Sequence, residues 1–342
     1  MISRPAFFCG LALAFTAAVA PLAVAQSALD AADEANKPAE TLPLADDTLL
    51  LDVTEAGARL VAVGWRGHVL LSDDRGATWR QASFVPTRNM LTGVFFSDAE
   101  YGWAVGHDET VLKTTDGGEN WQRVYFAPDT QQALFDVWFA DRQRGIAVGA
   151  YGAYLTTADG GTTWVSRKFA ALPVSSVVSS EPSDDEFAPD YHLNRIVAAG
   201  DKLYIAAEAG HLYRSDDGGM NWQTLPSPYE GSFYGVLPLE DGALLAFGLR
   251  GNLWRSNDAG ASWIAIPTDT TAMLTDGLQL TDGAVVIAGL SGVLLVSPDG
   301  GASWQLQQQP NRKAIAAMVP GGPAMVIAVG EAGVQRVAVA AP

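Results

Sequence analysis

Six aspartates stand at matching places in a short repeated pattern, and carboxylates could serve as general acids, bases or metal ligands. The pattern is Ser or Thr, any residue, Asp, any residue, Gly, two residues and Trp, and residues 114–121 form one copy with all four positions filled. The aspartates are Asp74, Asp116, Asp159, Asp217, Asp258 and Asp299, and the tryptophans are Trp79, Trp121, Trp164, Trp222, Trp263 and Trp304. A catalytic group differs between repeats, whereas a structural device recurs in each. We therefore interpret these boxes as hairpin turns whose aspartate accepts backbone hydrogen bonds.

Histidine and cysteine are the other residue types that could carry chemistry. The four histidines, His68, His107, His192 and His211, are widely separated, without the close spacing that favours a zinc site. The single cysteine, Cys9, lies in the N-terminal apolar stretch, so the mature chain would have no thiol. We expect no catalytic residue, no metal and no other cofactor.

The spacing of the boxes predicts the fold. Successive box tryptophans are separated by 42, 43, 58, 41 and 41 residues, a period typical of β-propellers. Each unit reads as a four-stranded meander. After the last box, residues 314–319, 324–330 and 334–340 form three more strands, and residues 41–47 could supply a fourth. We predict an all-β, seven-bladed propeller of four-stranded antiparallel blades, closed by N- and C-terminal strands.

Composition and the N-terminus indicate export. Residues 1–25 combine Arg4, an apolar run and a small-residue cleavage site, which is typical of a signal peptide. Residues 26–40 are predicted to be a disordered leader, and residues 41–341 to be the propeller with an insertion at 170–193. The net charge of −17 makes nucleic acid a poor partner. We expect a periplasmic or secreted monomer without a membrane span in the mature chain.

A second motif, G-x-x-G or a variant of it, precedes the third strand of each unit. Because strands alternate in direction, these loops should share one rim with the connections between blades, and the boxes should lie on the other. Residues predicted to form a partner-binding face on the first rim are Trp65, Arg66, His68, Arg88, His107, Tyr151, His211 and Arg250. Aromatic residues and arginine are typical anchors of protein interfaces.

These features together resemble the photosystem II stability and assembly factor family, within the wider class of BNR or Asp-box propellers. The segments from Val105 to Trp121 and from Val148 to Trp164 carry the resemblance best, and it extends over about residues 45–340. It implies a non-catalytic factor that binds membrane-protein subunits, with arginines on one face. Only Arg66 of this chain and its counterpart in the fifth unit occupy the G-x-x-G loops.

The resemblance leaves the setting and two alternatives open. Relatives in non-photosynthetic bacteria look like periplasmic accessories of envelope systems such as resistance-nodulation-division exporters, and we expect the periplasmic part of a membrane complex as partner. A sialidase-type glycoside hydrolase shares Asp boxes, but residues 41–52 lack the arginine that should precede its first box. A glycan-binding module is the other alternative.

Overall fold

Each stretch that carries a box folds into a small antiparallel sheet in the computed structural model, which describes residues 35–173 and 190–339. In each sheet the strands of the repeat follow one another in chain order, so every blade is a meander, and the sheet of blade 4 has one further strand at its outer edge. Blade 1 consists of β1 (Leu50–Ala56), β2 (Arg59–Gly64), β3 (Val69–Ser72) and β4 (Arg80–Gln81). Blade 2 consists of β5 (Leu91–Phe96), β6 (Gly102–Gly106), β7 (Val111–Thr114) and β8 (Gln122–Tyr125). Blade 3 consists of β9 (Leu134–Phe139), β10 (Gly145–Gly149), β11 (Tyr154–Thr157) and β12 (Val165–Ser166).

The remaining blades follow the same plan with two exceptions described below. Blade 4 consists of β13 (Ala171–Leu172), β14 (Leu193–Ala199), β15 (Lys202–Ala207), β16 (Leu212–Ser215) and β17 (Trp222–Thr224). Blade 5 consists of β18 (Phe233–Pro238), β19 (Leu244–Gly248), β20 (Leu253–Ser256) and β21 (Ile264–Ile266). Blade 6 consists of β22 (Leu274–Gln279), β23 (Val285–Gly289), β24 (Val293–Ser297) and β25 (Gln305–Gln308). Blade 7 consists of β26 (Ile315–Gly322), β27 (Met325–Gly330) and β28 (Gly333–Ala338).

The helical turns of the described residues are short 3₁₀ segments. They are Ala45–Asp47, Trp65–Gly67, Pro128–Thr130, Ala150–Gly152, Leu249–Gly251 and Leu290–Gly292. Within residues 35–173 and 190–339, none of the helical segments has the length and apolar character needed to cross a membrane.

The blades close into a ring whose core lies between neighbouring sheets. The innermost strands of neighbouring blades contact one another around the ring, and β26 of blade 7 contacts β1 of blade 1. In order, these strands are β1, β5, β9, β14, β18, β22 and β26. Strand β6 is buried along its whole length, because both faces of each sheet are covered by adjacent blades. The Trp103 ring, for example, stacks on Phe139 of the next blade with ring centroids 3.5 Å apart. The predicted seven-bladed ring is confirmed.

Closure of the ring differs in detail from the prediction. The sheet of blade 7 has three strands, and residues 41–47 form a turn and the segment Ala45–Asp47 beside β28 instead of adding a strand. The physical reason is local: Pro43 has no N–H for a ladder, and the Thr48 hydroxyl donates to the Ala45 carbonyl at 2.6 Å, which holds a tight turn. Gly333 packs against the backbone of this turn so closely that a Cβ there would clash with the Asp46 carbonyl.

The predicted leader of residues 26–40 lies only partly among the described residues. Residues 1–34 lie outside the described residues, but residues 35–40 are packed along the rim of blades 1 and 2. Ala35 is buried and its carbonyl accepts a hydrogen bond from the Thr87 hydroxyl at 3.0 Å. The Ala39 N–H donates to the Val85 carbonyl at 2.9 Å. These hydrogen bonds between the backbone of the segment and the ring hold residues 35–40 in place.

The first prediction follows from this packing. A chain that starts at Thr48 should be less stable than one that starts at Ala35 by about 2–4 kcal/mol. Several hydrogen bonds, worth about 1 kcal/mol each, and the burial of Leu42 and Ala45 are lost. Urea unfolding of both chains measures the difference. Equal midpoints would show that the N-terminal segment does not stabilise the ring.

Blade 4 has a fifth strand that the repeat did not predict. Residues 170–173, assigned to the insertion, leave blade 3 and include β13, which pairs in parallel with the outermost strand β17 of blade 4. The ring resumes at Asp190, and residues 174–189 lie outside the described residues.

Candidate functional site

The loops between the second and third strands share a backbone geometry that projects one side chain outwards. Arg66, Tyr151, Arg250 and Ser291 occupy equivalent places with φ between 50° and 59°. This left-handed conformation is uncommon for residues other than glycine and costs of order 1 kcal/mol. It is held because the following glycine packs against the next inter-blade connection: a Cβ on Gly67 would lie 2.1 Å from the Thr87 carbonyl oxygen.

The antiparallel order places these loops and the connections between blades on one rim. We call this the loop rim, comprising residues 64–68, 106–110, 149–153, 207–211, 248–252, 289–292 and 330–333 and the inter-blade connections. The turns between first and second strands and the Asp boxes lie on the opposite side, which we call the box rim. This strand order places the G-x-x-G loops and the Asp boxes on opposite rims, as the sequence predicted.

Five of the predicted face residues are accessible on the loop rim. Trp65 is 38% exposed and Tyr151 60% exposed, while His107 and Arg250 are exposed as well. The Arg66 guanidinium lies 5.3 Å from the centroid of the Trp65 ring, so these two side chains form one cation–π unit. Aromatic or guanidinium groups are therefore available at the loop corners of three separate blades.

His68 must be removed from the predicted face because it is fully buried. The Thr48 hydroxyl donates to a carbonyl, so its oxygen accepts from Nδ1–H of His68, 3.1 Å away. Nε2 is then the unprotonated nitrogen, and it is buried without a hydrogen-bond partner among the described residues. Burial, assisted by Arg66, lowers the pKa of His68. This histidine supports the N-terminal turn.

Arg88 and His211 have structural partners on the same rim. Arg88 donates from Nε to the Pro38 carbonyl at 3.0 Å and pairs with Glu40 at 2.9 Å, so it anchors the N-terminal segment. The His211 ring stacks on Tyr191 with centroids 4.1 Å apart. Both side chains are partly covered, and we expect them to contribute less to docking than the exposed aromatics.

One histidine outside the predicted set supports Tyr151. The Nδ1 atom of His192 accepts the Tyr151 backbone N–H at 2.9 Å, and the two rings meet edge to face at 4.7 Å. The His192 ring also contacts Phe135 of the inner strand β9. The most exposed aromatic residue of the face is therefore held in a fixed orientation.

The six Asp boxes are structural in every copy. In blade 5 the Ser256 hydroxyl donates to Oδ1 of Asp258 at 2.8 Å and accepts the Gly260 N–H, while Ser262 donates its N–H to Oδ1 and its hydroxyl to Oδ2. These donations from Ser262 lower the pKa of Asp258 to about 2. The pKa of the equivalent carboxyl lies below its ordinary value in all six boxes. Every carboxylate is occupied by turn hydrogen bonds.

A cluster that the sequence reading missed lies at the centre of the ring. Arg195 extends toward three buried aspartates, with nitrogen to oxygen distances of 3.7 Å to Asp52, 3.5 Å to Asp136 and 3.4 Å to Asp276. All four are the third residue of the innermost strand of their blades (β1, β9, β14 and β22), next to a register shift in the pairing. Alignment of the repeats at this strand would have revealed them.

Each aspartate of this cluster also joins two blades. Oδ2 of Asp52 accepts the N–H of Val94 in blade 2 at 2.8 Å. Asp136 binds the N–H of Ile196 in blade 4 at 2.9 Å, and Asp276 binds Met318 of blade 7 at 2.7 Å in the same way. The carboxylates therefore hold the innermost strands of neighbouring blades together.

The cluster sets three buried carboxyl groups against one guanidinium, whose side chain is 32% exposed. Burial raises the pKa of Asp52 from 3.8 to about 7 against the opposing effect of Arg195. Burial also raises the pKa of Asp136 and of Asp276. The cluster borders a cavity of about 340 Å³. A substrate carboxylate in this cavity would meet three carboxyl groups and one guanidinium. A sialidase, by contrast, binds its substrate carboxylate with a cluster of arginines.

Comparison with known proteins settles the family. A sequence model of the family described as "Photosynthesis system II assembly factor YCF48" matches residues 71–128 and 124–286, more than half of the chain. The chain belongs to this family. The match spans blades 2 to 5 completely and parts of blades 1 and 6, so it rests on the box repeats together with the strands between them.

Two curated relatives agree with this assignment. The chain is similar to the Photosystem II assembly lipoprotein Ycf48 of Trichormus variabilis, with 35% identity over 169 residues, or 49% of this chain and 45% of the relative. It is also similar to the chloroplastic Photosystem II stability/assembly factor HCF136 of Cyanidioschyzon merolae, with 39% identity over 79 residues, or 21% of this chain and 18% of the relative. The chain spans less than half the length of these curated relatives.

Solved structures show the same architecture. A structure of YCF48 bound to a D1 peptide superimposes with a TM-score of 0.68 at 19% identity, covering 89% of this chain and 97% of that one. YCF48 from Cyanidioschyzon merolae gives a TM-score of 0.67 at 19% identity, covering 87% and 97%. The WD40 propeller of Doa1 gives 0.62 at 13% identity, covering 89% and 95%. At these identities the likeness concerns the fold.

Proposed function

We propose that this chain is a non-catalytic accessory or assembly factor that binds a protein segment of a membrane complex through its loop rim. The observation that carries the proposal is membership of the YCF48 family, whose relatives are photosystem II assembly factors, one of them solved with a D1 peptide. By analogy, the partner of this chain is a polypeptide. The periplasmic part of a membrane complex, such as an exporter of the resistance-nodulation-division type, is the setting we propose.

The loop rim has the chemistry that such a partner needs. It presents the Trp65–Arg66 pair, Tyr151 and Arg250 on left-handed corners fixed by packing, so little conformational entropy is lost on binding. The rest of the chain is acidic, with a net charge of −17, which disfavours non-specific contacts. The apolar N-terminal run supports export to the periplasm or beyond, and we propose that the exported protein acts as a monomer.

Two features favour binding over hydrolysis. The Asp-box carboxylates are occupied by turn hydrogen bonds, as Asp258 illustrates. The central cavity pairs its arginine, Arg195, with three aspartates and so offers no cationic cradle for a sialic acid carboxylate. We therefore place the sialidase-type and glycan-binding alternatives behind protein binding.

The test is recovery of the partner by two variants with equal changes in charge. After cross-linking in whole envelopes, Arg66→Glu with Arg250→Glu should lower recovery of the wild-type partner at least about tenfold. Interface anchors of this type contribute about 2 kcal/mol or more, and 1.4 kcal/mol corresponds to tenfold in affinity. Quantitative mass spectrometry of the captured proteins gives the ratio.

The matched control is Arg75→Glu with Arg336→Glu, which changes two exposed arginines outside the loop rim. Glu119 is unsuitable as a box-rim control, because it pairs with Arg59 and Arg80 and links two blades. The control variant should capture the partner as the wild type does. If the control loses the partner and the loop-rim variant retains it, the docking face has been assigned to the wrong rim.

A further inference from the structure

Most seams between neighbouring box-bearing blades are clamped by one repeated hydrogen bond. A side chain of one blade donates to the carbonyl of the fourth box residue in the next blade. The donors and acceptors are Arg59 to Gly117 at 3.0 Å, Trp103 to Gly160 at 3.1 Å, Arg214 to Ala259 at 3.3 Å and Arg255 to Gly300 at 3.1 Å. These clamps close the box rim between blades 1 and 2, 2 and 3, 4 and 5, and 5 and 6.

The seam between blades 3 and 4 is built differently. Here the Tyr154 hydroxyl donates to the carbonyl of Gly219, the fifth box residue, at 2.8 Å. Between blades 2 and 3, Asp98 forms an ion pair across the seam with Arg142. The equivalent residue of blade 3, Asp141, pairs instead with Arg144 in its own turn. Without these ties across its mouth the seam opens on the box rim into a groove of about 1140 Å³.

The groove, which we call the seam groove, has an aromatic and aliphatic floor. The floor consists of Trp138, Ile146, Tyr154, Phe169 and Trp222. Its walls include Val165, Leu172 and Met220, which are 50%, 62% and 78% exposed. Exposed apolar side chains gathered at one place mark interaction sites, and methionine and aromatic residues are enriched in protein interfaces. The volume exceeds the roughly 300–1,000 Å³ typical of small-molecule sites.

The charge of the seam groove contrasts with that of the whole chain. Arg167 and Lys168 border it, and among the described residues no ion pair joins either of them to a carboxylate. Arg167 donates from Nε to the Thr156 hydroxyl at 3.0 Å, which fixes its guanidinium on the blade 3 wall. The lining also contains three carboxylates: Asp159 and Asp217 accept hydrogen bonds within their own boxes, and Asp201 pairs with Lys202 at 3.6 Å. In a chain of net charge −17, the groove thus offers two exposed cations that no ion pair ties to a carboxylate among the described residues.

We propose that the seam groove is a second docking site that binds an extended segment of another protein carrying alternating apolar and acidic side chains. In an extended segment, alternate side chains point to opposite sides. The apolar set would contact the floor while carboxylates reach Arg167 and Lys168, where charge-assisted hydrogen bonds favour anions. This site lies on the rim opposite to the docking face proposed above and stands independently of it.

The probe is a fluorescein-labelled octapeptide of alternating valine and glutamate, with a valine–lysine octapeptide as counter-probe. Fluorescence polarisation should show saturable binding of the acidic probe and none of the basic probe. Binding should weaken as salt is raised, because the two cations are solvent-exposed. Arg167→Glu with Lys168→Glu should lower the affinity at least tenfold, and Leu172→Ser with Met220→Ser should lower it at every salt concentration.

The matched control is again Arg75→Glu with Arg336→Glu, which should bind the acidic probe like the wild type. All variants are first compared by melting temperature, since each change lies on the surface and should leave the ring folded. The proposal is overturned if the acidic probe does not bind, if both probes bind equally, or if the Arg167 and Lys168 changes leave affinity unchanged. It is likewise overturned if light scattering finds a dimer that these changes dissociate, because a second copy would then occupy the groove.

Discussion

Replacing Trp121 by alanine should lower the free energy of unfolding by about 3–5 kcal/mol, the range for large-to-small changes of buried aromatic residues. The Trp121 side chain is 3% exposed and its ring meets Phe96 edge to face with centroids 6.0 Å apart. Its indole N–H donates to the Gly118 carbonyl at 2.9 Å, so the change also leaves a buried acceptor without a partner. It lies in the core shared by blades 1 and 2, including Val61 and Leu112.

The matched control is Trp263→Ala in the equivalent position of blade 5. Trp263 is only partly buried, and its N–H donates to the Pro226 carbonyl at an exposed site. We expect this change to cost about 1–2 kcal/mol, because less apolar area and a smaller cavity are involved. Urea unfolding of both variants under identical conditions gives the comparison. Equal losses would mean that the box tryptophans contribute through the turn and not through the core.

The sequence was informative where a residue has one role in every repeat. Ser256, Asp258 and Trp263 recur with fixed spacing, so the box turn, the strand that follows it and the seven-bladed ring could all be predicted. The orientation of the loops toward two rims followed from strand alternation. Local rules were sufficient for these features because the contacts involved are close in sequence.

The features that could not be predicted depend on contacts between distant residues. His68 is an ordinary loop residue in the sequence, and only its contact with Thr48 of the N-terminal turn shows that it is buried. Strand β13 depends on a parallel pairing with a strand some 50 residues later. The role of Trp65 and Tyr151 in binding a partner remains a prediction. Their exposure shows that they are accessible, but it does not show what they bind.

The central cluster illustrates the same limit. The cluster residues are isolated letters in the sequence, and they meet because each is the third residue of the innermost strand of its blade: Asp52, Asp136, Arg195 and Asp276. A propeller brings the same strand position of every blade to its axis. The equivalent positions of blades 2 and 7 are the small residues Gly93 and Ala317. Charged residues at this strand position of a propeller repeat therefore indicate a cluster at the axis.

Loss of the central cation should cost about as much stability as loss of a buried box tryptophan. Arg195→Met should lower the free energy of unfolding by about 3–5 kcal/mol at pH 8, because three buried carboxyl groups lose the guanidinium that compensates them. The loss should be smaller at pH 5, where protonation of the carboxyl groups relieves their repulsion. Urea unfolding at both pH values measures it. A loss that is the same at pH 5 and pH 8 would show that Arg195 acts only through packing.

The pH dependence of the wild type has a defined sign at this cluster. The pKa of Asp52 is raised from 3.8 in the unfolded chain to about 7 in the folded one, so the folded state binds more protons between these values. Stability from this group is fully present below about pH 4 and falls as the pH rises toward 7. The lowered pKa of buried His68 acts in the opposite direction. The contribution of His68 to the stability of the protein rises as the pH increases from its folded-state pKa to its unfolded-state pKa. The wild-type profile alone therefore mixes these two effects with those of Asp136 and Asp276, whose pKa values are also raised.

Asp52→Asn separates them, because the amide oxygen can still accept the Val94 N–H while the titrating carboxyl is removed. Between pH 5 and pH 8, the free energy of unfolding of the wild type should fall relative to that of the variant. The difference should build up steadily between pH 5 and pH 7, where the folded-state carboxyl of Asp52 still holds a proton that the unfolded chain has released, and it should level off above pH 7. The box carboxyls, typified by Asp258 with its pKa near 2, lose their stabilising hydrogen bonds only at lower pH in both proteins. Parallel profiles from pH 5 to pH 8 would show that Asp52 is ionised throughout and that Arg195 compensates it fully.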